Sequence, residues 1–184
     1  MSEPLSIRDN LAQASSLRLT GLNWFKNTSN EWLLEFHTGF MGYIGYYNPL
    51  TDNVFVFDTD ISDSGPNIQS MEISPQGIMY IGGYQTGVSA FDTKTEEFLY
   101  NIQHFHQSEG IGFLNGKTYF GTYTGAVVYR YDPDKSLNYL GYENDNLYQP
   151  NANPGMVYDI EYGQDRPFLL KSFGDKLYIG SMCG

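Results

Sequence analysis

Short runs of alternating apolar and polar residues recur along the chain. From Gly87 to Asp92, residues Val88, Ala90 and Asp92 fall on one face of an extended strand, with Ser89 and Phe91 on the other. The same reading predicts strands at about 70–74, 78–83, 88–92 and 97–102, then at about 109–114, 117–122, 126–131 and 137–142. Residues 16–36 supply further strands, including one over 31–36. Turn chemistry separates the runs: Asn48-Pro49, Pro75-Gln76-Gly77, Thr86-Gly87, Asn115-Gly116 and Asp132-Pro133. The N-terminal segment, 1–20, has a different pattern. Ser6 to Asp9 reads as a capping box, and Ile7, Leu11 and Ala14 share one helical stripe, so a short helix is expected there, with an unstructured terminus as the alternative. Residues 143–165 form a polar insertion rich in Asn, Asp and Gly, the kind of loop that often carries function.

The strands repeat. Gly42-Tyr43-Ile44-Gly45-Tyr46-Tyr47 is echoed by Met79-Tyr80-Ile81-Gly82-Gly83-Tyr84, by Thr118-Tyr119-Phe120-Gly121-Thr122-Tyr123 and by Leu177-Tyr178-Ile179-Gly180-Ser181-Met182. A β-rich run ending in Asp58, Asp92 or Asp132 follows the first three. Gly45, Gly82 and Gly121 lie 37 and 39 residues apart, and Gly180 follows 59 later, which leaves an insertion in the third unit. A period near ~40 residues is that of a four-stranded propeller blade.

This pattern, Tyr-Ile-Gly, a short turn, then a β-rich run closed by Tyr/Phe-Asp-Pro/Thr, resembles the YVTN-type, quinoprotein-like and streptogramin-lyase-like β-propellers over residues 30–184. It lacks the Trp-Asp pair of one common propeller class and the repeated double glycine of kelch repeats. The expected fold is therefore all-β: a β-propeller segment of about three and a half to four four-stranded blades. The blades are expected at 31–69, 70–107, 108–165 and, incomplete, 166–184. Closed propellers use about four to eight blades, so completion by another chain or by missing blades is expected. An open arc exposes strand edges and apolar flanks, which predicts self-association.

Composition narrows the function classes. The 184 residues carry 10 basic and 21 acidic side chains, a formal charge of -11. Such acidity argues against nucleic-acid and membrane-surface partners, which select basic patches. The N-terminus has no apolar signal core, so a cytoplasmic location is the default expectation. Cys183 is the single cysteine, which excludes an internal disulfide and a multi-cysteine metal site. Tyrosine (16) and phenylalanine (12) give the chain ample surface to bury, which argues against disorder.

Candidate chemistry follows from the repeats. The resemblance implies that loops joining second to third strands gather on the ligand-binding face. Tyr47, Tyr84 and Tyr123 then occupy one position in successive units, with Gln85 and Thr124 beside two of them. Their rings and hydroxyls suit a carbohydrate or peptide. The alternative is that each tyrosine packs at a strand end between blades. His104 and His106, two apart on one strand face, with Glu109 nearby, make a second candidate. They have the donor types for a divalent ion such as Ca, Mn or Zn, and so for a metal-assisted polysaccharide lyase or hydrolase, a chemistry the resemblance allows. A surface His-Phe-His is the plainer alternative, and no cofactor is certain. His37 maps to the end of a first strand and is expected to face away. Asp58, Asp60 and Asp63 fail the EF-hand spacing, and the aligned aspartates read as turn residues. The expected function is a ligand-binding or interaction module; a structural fragment of a larger propeller is the third reading.

Overall fold

The computed structural model describes residues 5–6, 19–27, 29–38, 43–58, 68–83, 87–102, 107–123, 127–138, 152–159 and 166–182. Among them the regular structure is entirely β. The strands are β1 (Leu5–Ser6), β2 (Leu19–Lys26), β3 (Trp32–Thr38), β4 (Tyr43–Asn48), β5 (Asn53–Asp58), β6 (Ile68–Ile73), β7 (Ile78–Gly83), β8 (Gly87–Asp92), β9 (Glu97–Ile102), β10 (Ser108–Leu114), β11 (Lys117–Thr122), β12 (Val127–Tyr131), β13 (Gly155–Asp159), β14 (Arg166–Phe173) and β15 (Lys176–Met182).

They form successive antiparallel sheets. The first has the order β1-β5-β4-β3-β2, the second β6-β7-β8-β9, the third β10-β11-β12-β13, and the fourth is the pair β14-β15. Strands β2 to β5, β6 to β9 and β10 to β13 are meanders, with β1 added outside β5 in the first sheet. Neighbouring sheets meet through the first strand of each meander and of the β14-β15 pair: β2 touches β6, β6 touches β10 and β10 touches β14. Meander sheets packed in sequence around their first strands make the blades of a β-propeller. The chain is thus an all-β propeller segment, with β2, β6, β10 and β14 innermost.

All four inner strands share one irregularity. The register with the second strand shifts between Leu19 and Gly21, Ile68 and Ser70, Ser108 and Gly110, and Pro167 and Leu169. This bulge aligns the sheets residue by residue. Leu22, Met71, Ile111 and Leu170 then share one position, and their cross-strand partners are Phe36, Ile81, Phe120 and Ile179.

The alignment moves the first repeat by one strand. Tyr43-Ile44-Gly45 lies on the third strand of its sheet, not the second. The position of Gly82, Gly121 and Gly180, opposite the bulge, is held in the first sheet by His37. The third strands instead end alike. Asn48, Asp92 and Asp132 each accept a hydrogen bond from the backbone N–H two residues on, Leu50 at 2.9 Å, Lys94 at 2.8 Å and Asp134 at 3.1 Å. These Asx turns close the third strands, and in the first two sheets they lead directly into the fourth. The third sheet also departs from expectation. Its fourth strand is β13, from the segment read as an insertion, rather than 137–142. Asn138 leaves the sheet to bridge Asn153. The buried Asn153 amide donates to the carbonyls of Asp132, Lys135 and Ser136 at 2.9, 3.1 and 3.2 Å, and so ties the detour back to the turn. The helix expected around residues 7–14 lies outside the described residues.

The core sits between sheets. Ile44 of the first sheet packs with Met79, Ile81 and Phe91 of the second. Tyr80, Val88 and Ala90 of the second pack with Ile111, Phe120 and Tyr129 of the third. A fully buried Phe or Ile side chain contributes about 2–3 kcal/mol. Hydroxyls stitch the same junctions: Tyr46 donates to Glu96 at 2.8 Å, Ser70 to the Ser108 carbonyl at 2.8 Å, and Tyr131 to the Tyr100 hydroxyl at 2.9 Å.

Candidate functional site

The carboxyl-terminal halves of all four inner strands line one cavity of about 450 Å³. They therefore run in the same direction around it. Trp24 and Lys26 come from β2, Glu72 and Ile73 from β6, Ile111 and Phe113 from β10, and Leu170, Lys171 and Ser172 from β14. The Lys171 ammonium donates to Glu72 at 2.9 Å, an ion pair between strands that are not neighbours around the axis. Lys26 donates to Asn30 at 2.6 Å and sits 5.5 Å from the centre of the Trp32 ring. The cavity thus has an aromatic wall, several strand-end backbone groups and charges that are already engaged. Periodicity did not single out Glu72 and Lys171: they lie 99 residues apart and belong to ordinary strand patterns.

The two described tyrosines of the expected rim lie apart. Hairpin turns of a meander alternate between its two ends. Tyr47 precedes a third-to-fourth turn, whereas Tyr123 follows a second strand, so they stand at opposite ends of the propeller. The half-buried Tyr47 donates its hydroxyl to Asp52 at 3.2 Å. Loss of solvent, then the Asp52 hydrogen bond and charge, hold that hydroxyl's pKa above its ordinary value. Tyr123 is 36% exposed, and its backbone N–H donates to the Gln107 carbonyl at 3.0 Å, which fixes it beside the connection from second to third sheet. Tyr84, Gln85 and Thr124 lie outside the described residues.

The metal candidate divides in the same way. His104 and His106 are outside the described residues. Glu109 is buried near the start of β10 and accepts a hydrogen bond from the Gln107 side-chain amide. Among the described residues no group of three or more His, Cys, Asp or Glu comes together to hold a metal ion. His37 ends a second strand and so lies at Tyr123's end of the propeller, contrary to the expectation that it faces away. Sequence reading also passed over Glu35, whose side chain is wholly buried in the first sheet. The signal was present: a carboxylate interrupting the apolar run Leu33-Leu34-Glu35-Phe36.

Comparisons with known proteins agree on architecture alone. No protein-family profile matches the sequence, and no curated protein sequence does. Among solved structures, the computationally designed Ika4 protein superposes with a TM-score of 0.59 at 14% identity, over 90% of this chain and 86% of that one. The designed Ika8 protein gives 0.58 at 14% identity over 90% of this chain and 43% of its own. The β-propeller domain of Cps50 (Swd1) from Myceliophteria thermophila gives 0.49 at 9% identity, over 93% of this chain and 50% of that one. The chain spans half or less of the length of the last two. At these identities the likeness is one of fold.

Proposed function

We propose that this chain is a binding module of the propeller type that takes a neutral carbohydrate at the axial cavity. The observation that carries the reading is the convergence of four strand ends on one cavity of about 450 Å³, within the range of small-ligand sites. Glu72 and Lys171 neutralise each other, and the Lys26 ammonium is held by the neutral Asn30 amide beside the Trp32 ring, so the lining is weakly charged and suits a neutral ligand better than a strongly ionic one. Trp24 gives a flat apolar face for a sugar ring, and strand-end backbone groups with Ser74 and Ser172 supply hydrogen bonds. The test is calorimetry and array binding with neutral oligosaccharides, with uncharged peptides as comparison. Ser172→Trp, which fills the cavity, and Glu72→Ala, which strips its ion pair, are expected to abolish or strongly weaken binding. Binding of Ser172→Trp at wild-type strength overturns the reading.

A second reading places the ligand, carbohydrate or peptide, at the opposite rim. The exposed ring of Tyr123, with its amide pinned to Gln107, supports it. There Tyr84→Ala and Tyr123→Ala reduce binding while Ser172→Trp leaves it intact, so one panel of variants separates the two.

A further inference from the structure

The position shared by Leu22, Met71, Ile111 and Leu170 faces the preceding sheet. Met71, Ile111 and Leu170 are 8%, 3% and 1% exposed, because the first, second and third sheets cover them. Leu22 has the same place in the first sheet and is 61% exposed. Trp32, on the same face, is 54% exposed.

The opposite imbalance holds at the other end. Ser70 and Gly110 share a position that faces the following sheet. The Ser70 hydroxyl donates to the Ser108 carbonyl there, and a Cβ at Gly110 would lie 2.6 Å from Leu170 and 2.8 Å from the Pro167 carbonyl. Leu169 is their counterpart in the fourth sheet and is 53% exposed. Gly82 and Gly121 are likewise blocked by the next sheet, whereas a Cβ at Gly180 would meet only Leu169 of its own sheet.

The molecule therefore carries two uncovered halves of the junction it builds between its own sheets: the half that receives a preceding sheet on the first, and the half that receives a following sheet on the fourth. We propose that a second copy of this chain covers both, with the fourth sheet of each copy against the first sheet of the other. Two such head-to-tail junctions related by a two-fold axis close a ring of eight sheets, at the upper end of the usual four to eight blades. Three copies exceed that range. An isologous pairing of first sheet on first sheet would oppose two like faces that nowhere meet within the chain.

The test is native mass by light scattering across a dilution series. The full chain is expected at twice 20.9 kDa, falling toward 20.9 kDa as it is diluted. Leu22→Asp on one face and Leu169→Lys on the other each replace an exposed side chain, so each variant folds but runs at the single-chain mass. Mixing the two leaves one junction native and opposes Asp to Lys across the other, so the mixture regains the double mass. A wild-type chain of single mass at every concentration overturns the proposal; that outcome is expected if further sheets of a longer polypeptide cover the faces. Loss of the double mass in Leu22→Asp but not in Leu169→Lys overturns it in favour of isologous pairing. A ladder of growing masses overturns the closed ring.

Discussion

The junction between the second and third sheets and the outer face of the first are made of the same kinds of residue. At the junction, Tyr80 and Phe120 meet edge to face at 5.8 Å, and Tyr129 is wholly enclosed with them. On the outer face, Leu22 and Trp32 are more than half exposed. The strands, bulge and cross-strand register are equivalent, and only the presence of a neighbouring sheet differs. Burial in this fold is thus a property of the junction, and each sheet is half of two junctions. Energetic weight follows coverage, so a covered side chain and an uncovered one respond very differently to truncation.

The largest contrast is expected from truncating the core of the covered junction. Phe120→Ala removes a fully buried ring that touches Tyr80 and Tyr131, and should cost about 4 kcal/mol, much of it from the cavity left behind. Leu22→Ala, measured on the dissociated chain, should stay within about 0.5 kcal/mol, as exposed substitutions do. Urea unfolding of both variants checks the pair. A Leu22→Ala loss that grows with protein concentration reports the second copy; equal losses at high dilution would break the comparison.

A smaller contrast comes from adding one methyl group. At Gly121 a Cβ would lie 2.5 Å from the Pro167 carbonyl and 2.8 Å from Leu170 in the next sheet, so backbone must move. Gly121→Ala should cost about 3 kcal/mol. At the equivalent Gly180 the nearest atom is Leu169 Cβ at 3.3 Å, and no other sheet intrudes. There Gly→Ala should change stability by less than about 1 kcal/mol, since the gain in strand propensity offsets the slight crowding. Melting temperatures of the two variants, read side by side, test whether the two glycines do the same job.

Much of this organisation was legible in the sequence. Alternation and turn residues located β6 to β12 to within a few residues, because each strand is short, half of a covered face, and bounded by Gly, Asn or Pro. The slip in the first sheet has a physical origin. Tyr-Ile-Gly is only three residues of a generic strand, and Tyr43-Ile44-Gly45 fits a third strand as well as a second. The better marker was the strand end: Tyr47-Asn48-Pro49 matches Phe91-Asp92-Thr93 and Tyr131-Asp132-Pro133, where an Asx turn dictates the side chain. The misplacement carried Tyr47 to the wrong rim and turned His37 away from Tyr123's. The axial cavity was not legible, because it is assembled from one strand of every sheet, and no local pattern joins Glu72 to Lys171. The outer strand of the third sheet, β13, was not legible because it follows a long connection whose anchor is a single buried amide, Asn153, hydrogen-bonded to the carbonyls of the Asp132 turn.

The smallest expected effect sharpens the comparison at the level of these turns. The first sheet opens its turn with the neutral Asn48, the third with the charged Asp132. Lys117 donates to Asp132 at 2.6 Å, and this hydrogen bond is the main cause holding the carboxyl below its ordinary 3.8. Partial loss of solvent opposes it, while the Asp134 N–H and the charges of Lys117 and Lys135 reinforce it. A carboxyl whose pKa is depressed on folding adds stability above the unfolded value and loses it as pH falls through the folded one. Asp132→Asn keeps the Asx turn, as Asn48 does in the first sheet, but removes the charge. The variant should melt slightly below wild type at neutral pH, and the two curves should converge as pH falls below about 3.8. An offset that persists unchanged through the acid range would mean that the Lys117 pair adds nothing, and that the turn rests on its backbone hydrogen bond in both sheets.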